Sequence, residues 1–214
     1  MPYTPDLDRL LTPGARFTDE HGAYVMEAHP VGEIVLPTGR VAGCDPLVCP
    51  DAEPFTVELP PGRYPARAWV AVVLRDGAEA DRRVAALELM VHDGQATGWE
   101  MALVGGQDVS TLEADGYFGY GVDAGTGTLA DPVALSALES WDYEQVEDVF
   151  IPAQLPEAPV PGLITAVLDE ATGANVVTVS SGWGDGCYGT WIGRTADGRV
   201  TSFVTDFMVV PEPA

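Results

Sequence analysis

Asp-Gly steps punctuate this chain, in "RDG" (Arg75–Gly77), "HDG" (His92–Gly94), "GDG" (Gly184–Gly186) and "ADG" (Ala196–Gly198). Aspartate followed by glycine readily supplies the positive φ angles of tight hairpins, so these steps commit the flanking segments to antiparallel β structure. The flanking runs are rich in β-branched and aromatic residues. "RYPARAWVAVVL", "RRVAALELMVH" and "TGWEMALV" predict one meander, and "GLITAVLD", "NVVTVSSGW", "CYGTWIGR" and "RVTSFVTDFMVV" a second. The predicted fold is mainly β with minor helices, two packed antiparallel meanders forming a sandwich.

Helical signals are few. "TPDLDRLL" offers Thr4 as a cap and Pro5 in the first turn. In "DPVALSALESW", Asp131 can cap, Pro132 suits the first helical position, and Val133, Ala137, Leu138 and Trp141 recur at helical spacing. The proline-rich "IPAQLPEAPVPG" (Ile151–Gly162) predicts an extended connector. The 52 residues after it would make a small independent core, so residues 1–214 are read as one domain.

Acids outnumber bases 33 to 10, the net charge is -23, and every base is an arginine. This charge repels nucleic acid and anionic membrane, arguing against direct nucleic-acid binding, and would steer a basic protein partner towards the surface. Solubility alone is the other reading. The longest apolar run, Ala68–Leu74, is too short for a membrane span, and "MPYTPDLDRLL" lacks a basic start or apolar signal core. A soluble cytoplasmic protein is expected. Cys44 and Cys49 have neither zinc-knuckle nor C-x-x-C spacing, and Cys187 is distant, so buried, reduced thiols are expected. The scattered His21, His29 and His92 give little support to a zinc site or a Ser-His-Asp triad.

The candidate site residues cluster in glycine-rich acidic loops. In "YGVDAGTGTLADP", Asp123 ends a strand, Gly125, Thr126 and Gly127 allow close backbone approach to a ligand, and the amides ahead of the Asp131 helix offer an anion site. Alternatively, Asp131 is only a cap and the glycines only form a turn. In "SGWGDGCYG", Trp183 and Tyr188 could wall a pocket beside Asp185, or Asp185–Gly186 could be a hairpin tip. Asp206 shares a strand face with Val200, Val204 and Met208, so its carboxylate needs an arginine, a backbone donor or a metal. Asp45, before Pro46, reads as a turn starter, and Arg40 and Arg63 as binders of an anionic ligand or partners in ion pairs.

Five blocks carry a resemblance: "LPTGRVAGCDPLV", "LPPGRYPARAWVAVV", "GWEMAL", "YGVDAGTG" and "SSGWGDGCYGTWIG…DGRVTSFVTDF". In this order, spanning about Gly32 to Val209, they resemble an uncharacterised bacterial family, domain of unknown function 4241. The resemblance implies one domain and supplies no catalytic role. Two functional expectations follow from the residues. One is a ligand-binding or hydrolase-like protein in which Asp123, Asp131, Asp185 and Asp206 converge on Mg²⁺ or Ca²⁺ and a small anionic ligand. The other is an acidic immunity or inhibitor protein that masks a basic toxin or nucleic-acid-binding partner.

Overall fold

The computed structural model describes residues 2–151 and 159–211. Most of the expected proline-rich connector, residues 152–158, lies outside the described residues. Strand outweighs helix, 46% to 11%. A large antiparallel sheet contains β1 (Arg16–Asp19), β2 (Gly22–Leu36), β4 (Gly62–Arg75), β5 (Ala78–Met90), β6 (Gly98–Met101), β7 (Gly119–Val122), β11 (Gly186–Arg194) and β12 (Val200–Asp206). Its order is β1-β2-β4-β5-β12-β11-β6, with β7 also paired to β11. A small sheet contains β3 (Ala42–Cys44), β8 (Thr126–Ala130), β9 (Ile164–Asp169) and β10 (Ala174–Ser180), ordered β3-β8-β10-β9.

The sandwich expectation holds, but its strands are shared out differently from two sequential meanders. β12 lies between β5 and β11, so β6 pairs with β11 and not with β5. Burial explains the choice. Val84–Leu89 of β5 and Thr201–Asp206 of β12 are buried throughout, which suits interior strands of a sheet covered on both faces, whereas β6 alternates exposed and half-buried positions before Met101. Likewise β9 and β10 belong to the small sheet while β11 and β12 belong to the large one. Asp185–Gly186 therefore marks a crossover between sheets and is not the hairpin tip that its dipeptide suggested. The Asp76–Gly77 turn behaves as expected, with φ of 51° and 80° joining β4 to β5.

Three α-helices among the described residues pack beside the sheets. α1 (Leu7–Leu10) is capped by Asp6, whose side chain accepts the Arg9 amide, and not by the anticipated Thr4. Leu7 and Leu10 are buried in the main core cluster. α2 (Pro132–Glu139) starts at its predicted cap, Asp131. α3 (Tyr143–Phe150) was not anticipated, although Asp142 and Gln145 form a capping box readable in "DYEQ". Leu87, Leu89 and Phe203 of the large sheet share the main core with Leu129, Val177 and Val179 of the small one. α2 and α3 bury Leu135, Leu138 and Phe150 with Leu168 and Val176 in a second cluster. No helix among the described residues is long and apolar enough to cross a membrane.

Candidate functional site

The tertiary structure brings the two glycine-rich acidic loops side by side. β7 pairs with β11 so that Val122 faces Gly186, and Asp123 and Asp185, both exposed, flank the end of that ladder. The Ser181 amide donates to the Gly125 carbonyl at 3.0 Å, tying the loops together. What organises the first loop is a residue read only as a turn starter. Asp45 is completely buried. Its Oδ2 accepts from the amides of Ala124 (2.7 Å) and Asp123 (3.2 Å). Its Oδ1 accepts from the Thr126 hydroxyl (2.8 Å) and the Leu47 amide (3.1 Å).

The loop thus holds an anion supplied by its own chain, and the donors expected to meet a ligand are engaged. Gly125 takes φ of 67°, as the turn requires. Close approach is real at Gly127, but the approaching group is a side chain: a Cβ there would lie 2.7 Å from the Phe207 ring.

The other predicted acids go to separate tasks. Asp131 is fully buried; its Oδ1 accepts from the Val133 amide at 3.0 Å, capping α2, and its Oδ2 from the Thr38 amide (2.9 Å) and hydroxyl (2.7 Å). Asp206 is buried on the large sheet with the partners its apolar face demanded, the Met208 amide at 2.9 Å and the Tyr3 hydroxyl at 3.4 Å. Among the described residues no group of three or more His, Cys, Asp or Glu side chains is placed to hold a metal ion. The expected convergence of Asp123, Asp131, Asp185 and Asp206 on Mg²⁺ or Ca²⁺ is therefore not found. Burial of Asp131 and Asp206 is balanced by protein donors in different parts of the fold, so neither needs a cation.

Trp183 is half exposed, with the Arg83 guanidinium 4.9 Å from its ring centre. Tyr188 is mostly buried, with its hydroxyl 2.7 Å from the Gly184 carbonyl, and it lines a cavity of about 290 Å³ with Phe55, Phe118 and Tyr120, but Trp183 and Asp185 are not part of that lining. Arg63 forms an exposed ion pair with Glu33 at 3.6 Å, and Arg40 is exposed away from both loops' hydrogen bonds. Of the thiols, Cys44 is buried and Cys49 half-buried, but Cys187, expected to be buried, is exposed on β11 next to the edge strand β7; all three are free.

Two features lie outside the residues singled out from sequence. The first is a face of α2 and α3. Glu139, Asp142, Glu144, Glu147 and Asp148 are all exposed, and the stretch from Pro132 to Phe150 contains no base. Tyr143 on this layer is 71% exposed, and Ile151 at its end and Val167 on the adjoining β9 are also open to solvent. Elsewhere Arg63, Arg67, Arg82, Arg83, Arg194 and Arg199 each pair with acids of the chain itself, so six of the ten arginines are already neutralised. The acid cluster on the helices has no such pairing among the described residues.

The second feature is a cleft of about 450 Å³ between α1 and the large sheet, walled in part by Glu88. Paired positions on neighbouring antiparallel strands project to the same side, so Arg67, Glu88 and Val204 form one row across β4, β5 and β12. Glu88 is only 8% exposed. Its Oε2 accepts from Trp69 Nε1 at 2.8 Å and faces Arg67 at 3.5 Å. Burial raises its pKa, while Trp69, Arg67 and the Ser202 hydroxyl oppose that rise. The sequence signal was present: one acid inside the apolar run "AALELM".

Fold and surface together define an antiparallel β-sandwich with a helical cover, strongly acidic and with its candidate acidic loops held by internal hydrogen bonds. The chain belongs to the family described as "Protein of unknown function (DUF4241)", whose model matches residues 34–205. No curated protein and no solved structure matches it.

Proposed function

We propose that this protein is an acidic protein-binding module that covers a basic surface of its partner, in the manner of an immunity protein masking a toxin or a nucleic-acid-binding protein. The carrying observation is the base-free layer of α2 and α3, which carries five exposed carboxylates and the exposed Tyr143 between Glu139 and Asp148. Unpaired carboxylates give long-range attraction and orientation, and an exposed aromatic beside them provides the apolar anchor that charge alone lacks. The free thiols suit a reducing compartment, so the cytoplasm is the proposed place of action. A small-anion site at Asp123–Gly127 is the weaker reading, because Asp45 already takes the donors of that loop.

The test is a paired charge reversal. Glu144→Lys/Glu147→Lys/Asp148→Lys changes the helical face, while Glu20→Lys/Glu58→Lys/Glu113→Lys makes the same change in net charge at exposed positions elsewhere. Basic proteins captured from the source cell by the wild type at low salt should be lost with the first variant and retained with the second. Equal loss of capture by both variants would show that net charge, and not this face, drives binding, and undiminished capture by the first variant would refute the proposal.

A further inference from the structure

The cleft beneath α1 is a second, chemically different feature, independent of the helical face. We propose that it binds a small organic cation, a primary ammonium or guanidinium on a short apolar stem, with Glu88 as the anchoring carboxylate.

Charge supports a cation. Asp8, Glu88 and Asp93 line the cleft, and the cations among its lining residues are limited to Arg67 and whatever charge His92 carries. Arg67 already faces Glu88, and His92 is engaged at both ring nitrogens, Nδ1 with the Gly94 amide at 2.8 Å and Nε2 with Arg199 Nη1 at 3.2 Å. The protein's charge of -23 adds a field that concentrates cations at any opening.

The acceptor is unusually placed. A carboxylate offers about four lone-pair sites, and the donors found at Glu88 are Trp69, Arg67 and Ser202, with Trp69 and Arg67 both directed at Oε2. Acceptor capacity remains for an incoming N–H. Because the group is 8% exposed at the wall of a cleft, a hydrogen bond there is shielded from competing water in a way that the exposed carboxylates of α3 are not.

Shape and apolar lining set the stem. Leu7 and Leu11 of the α1 segment face Met90 and Trp99 across the cleft. Trp99 is held by its indole N–H, which donates to Asp8 at 3.0 Å. An alkyl chain fits between these side chains, and the ring of Trp99 offers a face to a cation. A volume of about 450 Å³ lies within the usual range for small-molecule sites.

The probe is putrescine, with 1,4-butanediol as its uncharged counterpart, followed by calorimetry and thermal melting at physiological salt. Putrescine should raise the melting temperature of the wild type, and the diol should not. Glu88→Gln keeps the side-chain shape and an oxygen for Trp69 but removes the charge, and should weaken putrescine binding roughly tenfold or more. Asp148→Asn, on the helical face, should leave it unchanged. Leu11→Trp, which fills the cleft without touching a charge, should also abolish binding and serves if the Gln variant does not fold. Equal binding by the wild type, Glu88→Gln and Leu11→Trp would mark putrescine as a general counterion of an acidic surface and overturn the proposal, as would absence of binding to the wild type.

Discussion

Replacing Asp45 tests the central structural claim, that this buried carboxylate is the internal anion around which the Asp123–Thr126 loop forms. Its four hydrogen bonds join Leu47, Asp123, Ala124 and Thr126. In Asp45→Asn the amide oxygen can face Asp123 and Ala124, and the Thr126 hydroxyl can rotate to accept, but the Leu47 amide then meets an NH₂ group. Hydrogen bonds to a charged group contribute about 1.5–3 kcal/mol each, so one lost and two weakened bonds cost about 3 kcal/mol. In a protein of this length that lowers Tm by about 6–12 °C. Asp45→Ala strands all four donors and should cost about 4–5 kcal/mol. Asp123→Asn, at an exposed position, should stay within about 0.5 kcal/mol of the wild type. Thermal and urea melts of the three variants measure the ranking. Excess formate should restore stability to Asp45→Ala and leave the wild type unchanged, since a ligand bound only by the folded cradle stabilises it by mass action. If Asp45→Asn is as stable as the wild type, or Asp123→Asn is the more damaging change, the reasoning fails.

Asp131→Ala removes both the cap of α2 and the clamp on Thr38; a loss of about 2–3 kcal/mol is expected in urea melts, larger than for a cap alone. In native labelling with a thiol reagent, Cys187 should react first and Cys44 last, because Cys44 is fully buried and burial raises its thiol pKa far more strongly than that of Cys187; mass mapping of the labelled sites checks the order. Glu88 has a folded-state pKa above its unfolded one, so its contribution to stability is complete below the unfolded value, about 4.3, and is lost as pH rises through the folded value. Melts of Glu88→Gln against the wild type should therefore shift in favour of the variant as pH rises through that window, and an opposite trend would contradict the burial argument.

The local features were legible in the sequence. Asp-Gly turns such as Asp76–Gly77, the cap and first-turn proline at Asp131–Pro132, the β-type runs and the acidic balance all depend on neighbours a few residues apart or on composition. The need of Asp206 for a partner was readable too, since strand alternation alone places it on an apolar face. The capping box of α3 and the lone glutamate in "AALELM" were also present as signals, but neither declared its role without burial to weigh it.

The tertiary structure decided what those acids do. Asp45 meets its loop donors 78 to 81 positions away in the chain, and Asp131 meets Thr38 at a distance of 93, so no local pattern could separate a ligand loop from a loop filled by its own carboxylate. Strand order was equally beyond reach of the turn signals. A hairpin dipeptide gives the chain a local reversal, but it does not state whether the next strand joins the same sheet, and at Asp185–Gly186 it does not. The choice rests on burial: β12, buried from Thr201 to Asp206, takes a protected place inside the large sheet, and β6, half exposed, takes its edge. The same non-local packing brings Arg67 and Glu88 side by side on β4 and β5 and sets α1 over the cleft they border.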